Sequence, residues 1–358
     1  MKAWQIDGFG TPFQLREVPT PQVRPGSVLV KIETSSLMSY LKEYVGGKLP
    51  TYRPPHGAFT PGGNGFGTIE AVGRDVWHLK PGQRVVLSSH LVTNENVADK
   101  TQILIGVTNF GGAGEAQMAD WPNGTLAEYA LWPVSAVTPA DGLDHIPAED
   151  FSIFSRCVVP YGGLVRGRLS AGETVVINGI TGGYGTSAAL VALAMGAGRV
   201  IGSGRNAAKL EAISKATGGR VTTVPMTGDV KADAEALRAA SGGAELAFDM
   251  VGQANDPSTT LSALGSLRRN GRLVLMGSMT VPLPINYMQM MGNNLEIIGH
   301  FMYEADAHLK LLNLLRIGRL DMSPIKAKVY PMSDLPNAME VARSADSLEC
   351  VVVRNDLG

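Results

Sequence analysis

Two cysteines in 358 residues, Cys157 and Cys350, are too few for a disulfide framework and rule out a four-cysteine zinc cluster. Charge of one sign is missing as well. Thirty-one basic residues stand against 32 acidic ones with no long run of either, so nothing marks the chain for nucleic acid or an anionic membrane. Long apolar runs are also absent. The start, Met1-Lys2-Ala3-Trp4-Gln5-Ile6-Asp7, turns polar before a signal-like region develops, and the most apolar helical stretch, Thr186 to Gly196, is too short to span a bilayer. A soluble cytoplasmic protein is expected.

Glycine is abundant, with 43 residues, and a hydrophobic share of 44% allows a large core in two domains. The most telling glycines lie in Glu173-Thr174-Val175-Val176-Ile177-Asn178-Gly179-Ile180-Thr181-Gly182-Gly183-Tyr184-Gly185, a short apolar strand that runs into a glycine-rich turn and opens an apolar helix. Gly179 lets the chain turn, Gly182 and Gly183 let phosphate oxygens approach bare amides, and Gly185 lets the helix lie close on the sheet. Thr181 and Tyr184 complete the turn. Val200-Ile201-Gly202-Ser203 follows as a second strand, the context that a dinucleotide pyrophosphate site requires.

The first 150 residues are rich in strand and turn signals punctuated by Pro25-Gly26, Pro61-Gly62 and Pro81-Gly82, a β-rich domain. From about Glu149 helices alternate with short apolar strands. After Val175 to Ile177, strands are expected at Arg199 to Gly202, Leu246 to Met250, Arg272 to Met276 and Asn294 to Ile298. Helices are expected at Ala207 to Ala216, Lys231 to Ala240 and Thr259 to Arg268, an order that implies a parallel sheet with right-handed crossovers. Helices at Asp306 to Gly318 and Leu335 to Ser344 and a strand at Glu349 to Arg354 suggest a return to the first domain. Ser88 to Asn123 is a long, weakly patterned segment, expected to form a functional lobe or a mobile cover.

Together with Val28-Leu29-Val30-Lys31-Ile32-Glu33, Lys80-Pro81-Gly82-Gln83-Arg84-Val85, Gly124-Thr125-Leu126-Ala127-Glu128-Tyr129, Phe248-Asp249-Met250-Val251-Gly252 and Gly271-Arg272-Leu273-Val274-Leu275-Met276-Gly277, these features resemble the medium-chain dehydrogenase/reductase superfamily over nearly the whole chain. The resemblance implies an α/β fold: a GroES-like catalytic domain at residues 1–152, a Rossmann doubly wound nucleotide domain at 153–301, and a return to the catalytic domain at 302–358. It also implies a homodimer, or a tetramer, built through nucleotide-domain sheet edges. Where the superfamily's zinc alcohol dehydrogenases hold metal ligands, this chain has Met38, Gly63, Asn64 and the pair Phe154-Ser155. The glycine loop is similar to that of the zinc-free quinone and enoyl reductases.

Without a Lewis acid, hydroxyls, amides and the cofactor must stabilise developing negative charge, which suits hydride addition to an enone or quinone. Tyr40 and Tyr52 are the candidate donors, because a phenol with an ordinary pKa of about 10 keeps its proton at neutral pH. Ser39 is a weaker candidate and also an expected helix cap. The resemblance places Val251, Gly277, Ser278 and the backbone of His300 and Met302 along the cofactor. Asp249 is either a turn cap or a cofactor contact. His56 could reach substrate but better suits a surface loop, Cys157 lies near the nicotinamide face or is a small buried hydrophobe, and Met288-Gln289-Met290-Met291 lines an adaptable apolar pocket or an oligomer contact, or, the better reading, packs in the core.

The cofactor expected is NADPH. An NAD enzyme places an acidic side chain about 20 residues past the glycine turn, and here that place falls on Gly204, followed by Arg205 and Lys209, with Ser203 and Asn206 as neutral donors. The substrate expected is a small enone or quinone. Reduction of a ketone or aldehyde to an alcohol is the alternative within the family, and a non-catalytic NADPH-binding sensor or structural protein the alternative outside it.

Overall fold

The computed structural model describes residues 1–93, 96–252 and 254–356; residues 94–95 of the expected lobe and 357–358 of the expected return lie outside these. The chain divides into two compact units. One comprises Met1–Ser155, Ala327–Ala345 and the residues from Cys350 on; the other comprises Arg156–Lys326 and Asp346–Glu349. The division differs from the expected boundaries in three ways, the first being that residues 153–155 count with the first unit. Residues 302–326, with the helix Ala307–Arg316, count with the nucleotide unit rather than with the return, and so does the four-residue segment Asp346–Glu349.

Among the described residues the first unit is built on a sheet in the order Val137–Pro139, Arg84–Leu87, Gly65–Val72, Ser27–Ser36, Glu349–Arg354 and Lys326–Pro331, with Tyr129–Pro133 also paired to Ser27–Ser36. Strand Ser27–Ser36 is central, with its apolar residues Val28, Leu29, Val30 and Ile32 all buried and its polar Ser27, Thr34 and Ser35 buried beside them. The segment from Ser88 to Asn123 is not a loose cover. It folds into a small antiparallel sheet of His90–Val92, Gln102–Leu104 and Thr108–Asn109 plus the helix Ala113–Asp120, held by burial of Leu91, Ile103, Ile105 and Met118 in one core with Trp132.

The second unit carries a six-stranded sheet in the order Val221–Pro225, Arg199–Gly204, Thr174–Asn178, Ala244–Asp249, Leu267–Leu275, Glu296–Gly299, with every neighbouring pair parallel. Helices between successive strands cover both faces, and Val175, Val176 and Ile177 are therefore apolar in an unbroken run and fully buried. The first strand lies in the middle, and the sheet grows from it first one way and then the other. That reversal puts the topological switch point between the carboxyl ends of Thr174–Asn178 and Ala244–Asp249.

The helix expected at Thr259 to Arg268 ends earlier, as Ser258–Gly265. Leu267 buries its side chain and pairs its backbone with Ala244, so the next strand begins there instead of at Arg272. Only part of the methionine cluster packs on the core, through Met290. The helix Tyr287–Asn293 buries none of its residues, and Met288 and Met291 are more than half exposed beside Tyr287 and Ile285.

Candidate functional site

Gly179 closes the first strand at φ 82°, a left-handed conformation that favours glycine, and its α-carbon faces the segment that leaves strand Ala244–Asp249: a methyl there would come within 3.0 Å of Val251 Cγ2. The helix Gly183–Ala194 then begins at an N-cap, Gly182, that supplies no side-chain hydrogen bond. Its first-turn amides are thus open to an anion. Gly185 lies flat on the turn, where a Cβ would meet the Gly179 carbonyl oxygen at 2.1 Å. Thr181 is half-buried, Tyr184 exposed. The cradle is one that side chains at these positions would fill, and it fits a pyrophosphate.

A residue that the sequence did not single out completes this corner. A Cβ on Gly183 would lie 2.5 Å from Arg156 Nη2, so glycine is what lets this guanidinium reach the helix start; Arg156 donates from Nη1 and Nη2 to the carbonyls of Glu349 and Ser347.

A buried polar chain ties the carboxyl ends of three strands together. Ser203 Oγ donates to Asn178 Oδ1 (3.0 Å), Asn178 Nδ2 to Asp249 Oδ1 (3.0 Å), and Thr260 Oγ1 to Asp249 Oδ2 (2.7 Å), while Val251 N caps Asp249 Oδ1 (3.0 Å). One expectation changes as a result, and one pair of alternatives is narrowed. Ser203 is fully buried with its hydroxyl committed to Asn178, so it is not a neutral donor beside Arg205; Asp249 caps the turn that follows it. Burial pushes the Asp249 carboxyl above its ordinary value of 3.8, outweighing the bonds from Thr260, Val251 and Asn178. The folded state then keeps a proton that the unfolded chain has released, so this group's contribution to stability falls as pH rises from the unfolded value through the folded one. Asp249→Asn keeps the Oδ1 acceptor and cannot ionise. Its melting temperature relative to the unmodified protein is expected to improve from acid to neutral pH, and a difference that stays constant with pH would contradict this.

Gly204 ends the second strand, buried, with no side chain where an acidic residue would receive ribose hydroxyls. Arg205 is exposed directly after it. Asn206 spends its Oδ1 on capping the Lys209 N–H (3.0 Å), and Lys209 Nζ lies 3.3 Å from Asp346 Oδ2. Farther along the same edge Gly277 packs on the Val251 peptide, where a Cβ would come within 2.1 Å of the Val251 oxygen, and the His300 N–H donates to the Leu275 carbonyl. Ser278 (φ 62°) and Met302 (φ 58°) are both left-handed without being glycine. Such positions are uncommon and cluster at ligand clamps.

In the first unit the two phenol candidates meet. Tyr40 holds the N-cap position of the short helix Leu41–Val45, and its ring lies 5.8 Å from that of Tyr52, tilted by 56°. Both are partly buried against the core, whereas Tyr44, in the same cluster, is fully buried and donates its hydroxyl to the Val107 carbonyl. Burial, and then the neighbouring Tyr52, push the Tyr44 phenol far up. Ser39 is not the cap of this helix, since the cap position falls on Tyr40. The Tyr52 loop is fixed to the lobe, with the Arg53 N–H on Thr108 Oγ1 and the Asn109 N–H on the Arg53 carbonyl. His56 is exposed and Cys157 buried.

At the positions where the resemblance puts zinc ligands, Met38 offers a thioether and Gly63 no side chain. Asn64 Oδ1 accepts from the Ser89 N–H at 2.8 Å, and Ser155 Oγ donates to the Phe151 carbonyl at 2.9 Å. This donor set does not fit a zinc ion, which takes Cys, His, Asp or Glu. Among the described residues no three such side chains stand together elsewhere. Nor is any helix there long and apolar enough to cross a membrane.

Residues 24–142 match the model of the alcohol dehydrogenase GroES-like domain, and residues 183–316 match the zinc-binding dehydrogenase domain. An alcohol dehydrogenase of Moraxella sp. is 30% identical over 311 residues, 84% of each chain. Among solved structures, a cobalt- and zinc-bound thermostable alcohol dehydrogenase of Pyrobaculum aerophilum superposes with a TM-score of 0.76 at 22% identity over 99% of both chains. A quinone oxidoreductase of Thermus thermophilus, solved also in complex with NADPH, gives 0.70 at 24% identity over 99% of this chain and 100% of its own. Both domain models in this order, and a relative of that identity over most of its length, make this chain an oxidoreductase of the medium-chain dehydrogenase/reductase superfamily.

Proposed function

We propose that the protein is a zinc-independent, NADPH-dependent reductase that delivers hydride to a small activated carbonyl compound, an enone or a quinone. The observation that carries this reading is the donor set just described: Met38, Gly63, Asn64 and Ser155 leave no metal ligand where the superfamily's zinc enzymes hold theirs. Addition of hydride to a conjugated system spreads the charge into one enolate or phenolate oxygen, which hydrogen bonds can stabilise without a Lewis acid. The hydroxyls of Tyr40 and Tyr52, whose rings pack together, are the donors assigned to that oxygen. Gly182, Gly183 and Gly185 would receive the pyrophosphate on bare amides, with the Arg156 guanidinium alongside. Arg205 and Lys209 would take the 2′-phosphate, and the backbone of His300 and Met302 would hold the carboxamide. When bound, NADPH supplies the hydride. Exposed Ile285, Tyr287, Met288 and Met291, close in sequence to the terminal strand Glu296–Gly299, support a homodimer formed along that sheet edge.

A second reading, reversible reduction of a ketone or aldehyde to an alcohol, is favoured by the alcohol dehydrogenase relative of Moraxella sp.. One screen separates the two. Quinones, enones, ketones and aldehydes are offered with NADPH and with NADH to metal-stripped protein, and the products are identified. The expected result is a saturated ketone or hydroquinone, formed after chelation as before, with NADPH preferred by about tenfold or more. Alcohol products, activity restored only by zinc, or equal efficiency with both cofactors each overturns its part of the reading.

A further inference from the structure

Lys209 has two claims on its charge. The proposed function gives it to a 2′-phosphate; the structure gives it to Asp346, whose Oδ2 lies 3.3 Å from Nζ. Asp346 comes from the short segment that belongs to the nucleotide unit although the chain on both sides of it does not. The segment is held in place independently of Lys209, by Arg156 on the Ser347 and Glu349 carbonyls and by the Lys326 N–H on the Leu348 carbonyl. Asp346 is therefore fixed in front of Lys209 and does not simply follow it. Burial works to raise its carboxyl, but the Leu348 N–H and the Lys209 ammonium outweigh that and leave it below the ordinary value, an anion at neutral pH. The pair lines an open groove of about 600 Å³ shared by Asn206, Ala212, Lys326 and Glu349, which begins at the cap of the helix that follows Gly204.

We infer that Asp346 is a specificity-determining residue for the cofactor, an anion that occupies Lys209 and so limits the preference for a ribose 2′-phosphomonoester over an unphosphorylated ribose. This rests on the nucleotide site proposed above. A phosphate arriving at Arg205 and Lys209 must share or displace the carboxylate, and two negative groups at one ammonium repel each other. A 2′-hydroxyl brings no charge and meets no such repulsion from the carboxylate. The net strength of the phosphate contact is then set by a residue far along the chain as much as by Arg205 and Lys209 themselves.

The test uses Asp346→Asn, which keeps an oxygen for the Leu348 N–H and Ser347 hydroxyl and removes the charge. Binding of 2′,5′-ADP and of 5′-AMP to the full-length protein is measured by calorimetry, so that no turnover is needed. Asp346→Asn should tighten 2′,5′-ADP by about tenfold, the value of one charge-assisted contact, and leave 5′-AMP unchanged. In a Lys209→Met background the same substitution should bring no more than a small fraction of that gain. A change that affects both nucleotides equally shows a merely structural role and overturns the inference, as does an undiminished gain without Lys209. If the unmodified protein binds neither nucleotide, it is the nucleotide site itself that fails, a result distinct from both.

Discussion

Phenylalanine at Tyr40 is expected to lower kcat on the best enone or quinone by about 10²–10³-fold, the loss of roughly 2.7–4 kcal/mol that follows removal of a principal oxyanion donor. The ring stays, so its packing against Tyr52 and the surrounding core is kept, and KM should move little because the donor acts on charge that develops only in the transition state. Tyr52→Phe, the loss of the secondary donor, is expected to cost less than Tyr40→Phe, and to cost more in the Tyr40→Phe background, where Tyr52 supplies what donation is left. Tyr44→Phe is the control. Its hydroxyl is buried on the Val107 carbonyl, so its removal should cost about 1–3 kcal/mol of stability by leaving that oxygen without its donor, with turnover per folded molecule preserved. Steady-state kinetics and thermal unfolding on the four variants, the double variant included, check this. Near-normal turnover in the double variant would remove the phenols from the mechanism and leave water or cofactor as the donor.

Two alanines in the glycine turn are expected to fail in different ways. At Gly185 the new methyl would lie 2.1 Å from the Gly179 oxygen and 2.8 Å from the Gly179 carbon and Ile180 Cα, all backbone atoms that cannot swing aside. Overpacking of that kind costs about 1–3 kcal/mol or more, and the helix must shift off the turn, so both stability and nucleotide binding should fall. At Gly182 the nearest atom is the Gly179 oxygen at 3.5 Å, ordinary contact, and the backbone angles suit alanine. Stability should then drop by only about 1 kcal/mol, the difference between the two residues at an N-cap. NADPH affinity should nonetheless weaken by about tenfold or more, because the methyl stands where a phosphate oxygen approaches. Calorimetric binding beside thermal unfolding separates the two. Unaltered NADPH affinity in Gly182→Ala would mean that the pyrophosphate does not use this cradle.

What could be read along the chain was what is encoded locally. The glycine turn, the buried run Val175 to Ile177 and the helices Ala207–Ala216 and Leu335–Ser344 each declare themselves within a dozen residues, through φ requirements, apolar periodicity and caps. The lobe did not, because Leu91, Ile103, Ile105 and Met118 are scattered among polar residues and only pairing across the sheet brings them into one core. The methionine cluster misled for the opposite reason: residue type suggested burial, but so short a helix presents Met288 and Met291 outward. Ser203 was read as a neutral donor beside Arg205, yet it is buried in a strand covered on both faces, with its hydroxyl on Asn178. The partners of the site's cations were illegible in principle. Nothing near Gly183 names Arg156, and nothing near Lys209 names Asp346.

The segment Asp346–Glu349 also sets a schedule. A chain leaving the ribosome presents the whole parallel sheet and the glycine turn long before it presents this segment, and domains generally begin to fold as they emerge. Until then Arg156 lacks the two carbonyls that position it and Lys209 lacks the carboxylate that offsets its charge. A chain cut short before Asp346 would thus meet a phosphate with an unopposed ammonium at Lys209 and an unanchored guanidinium at Arg156.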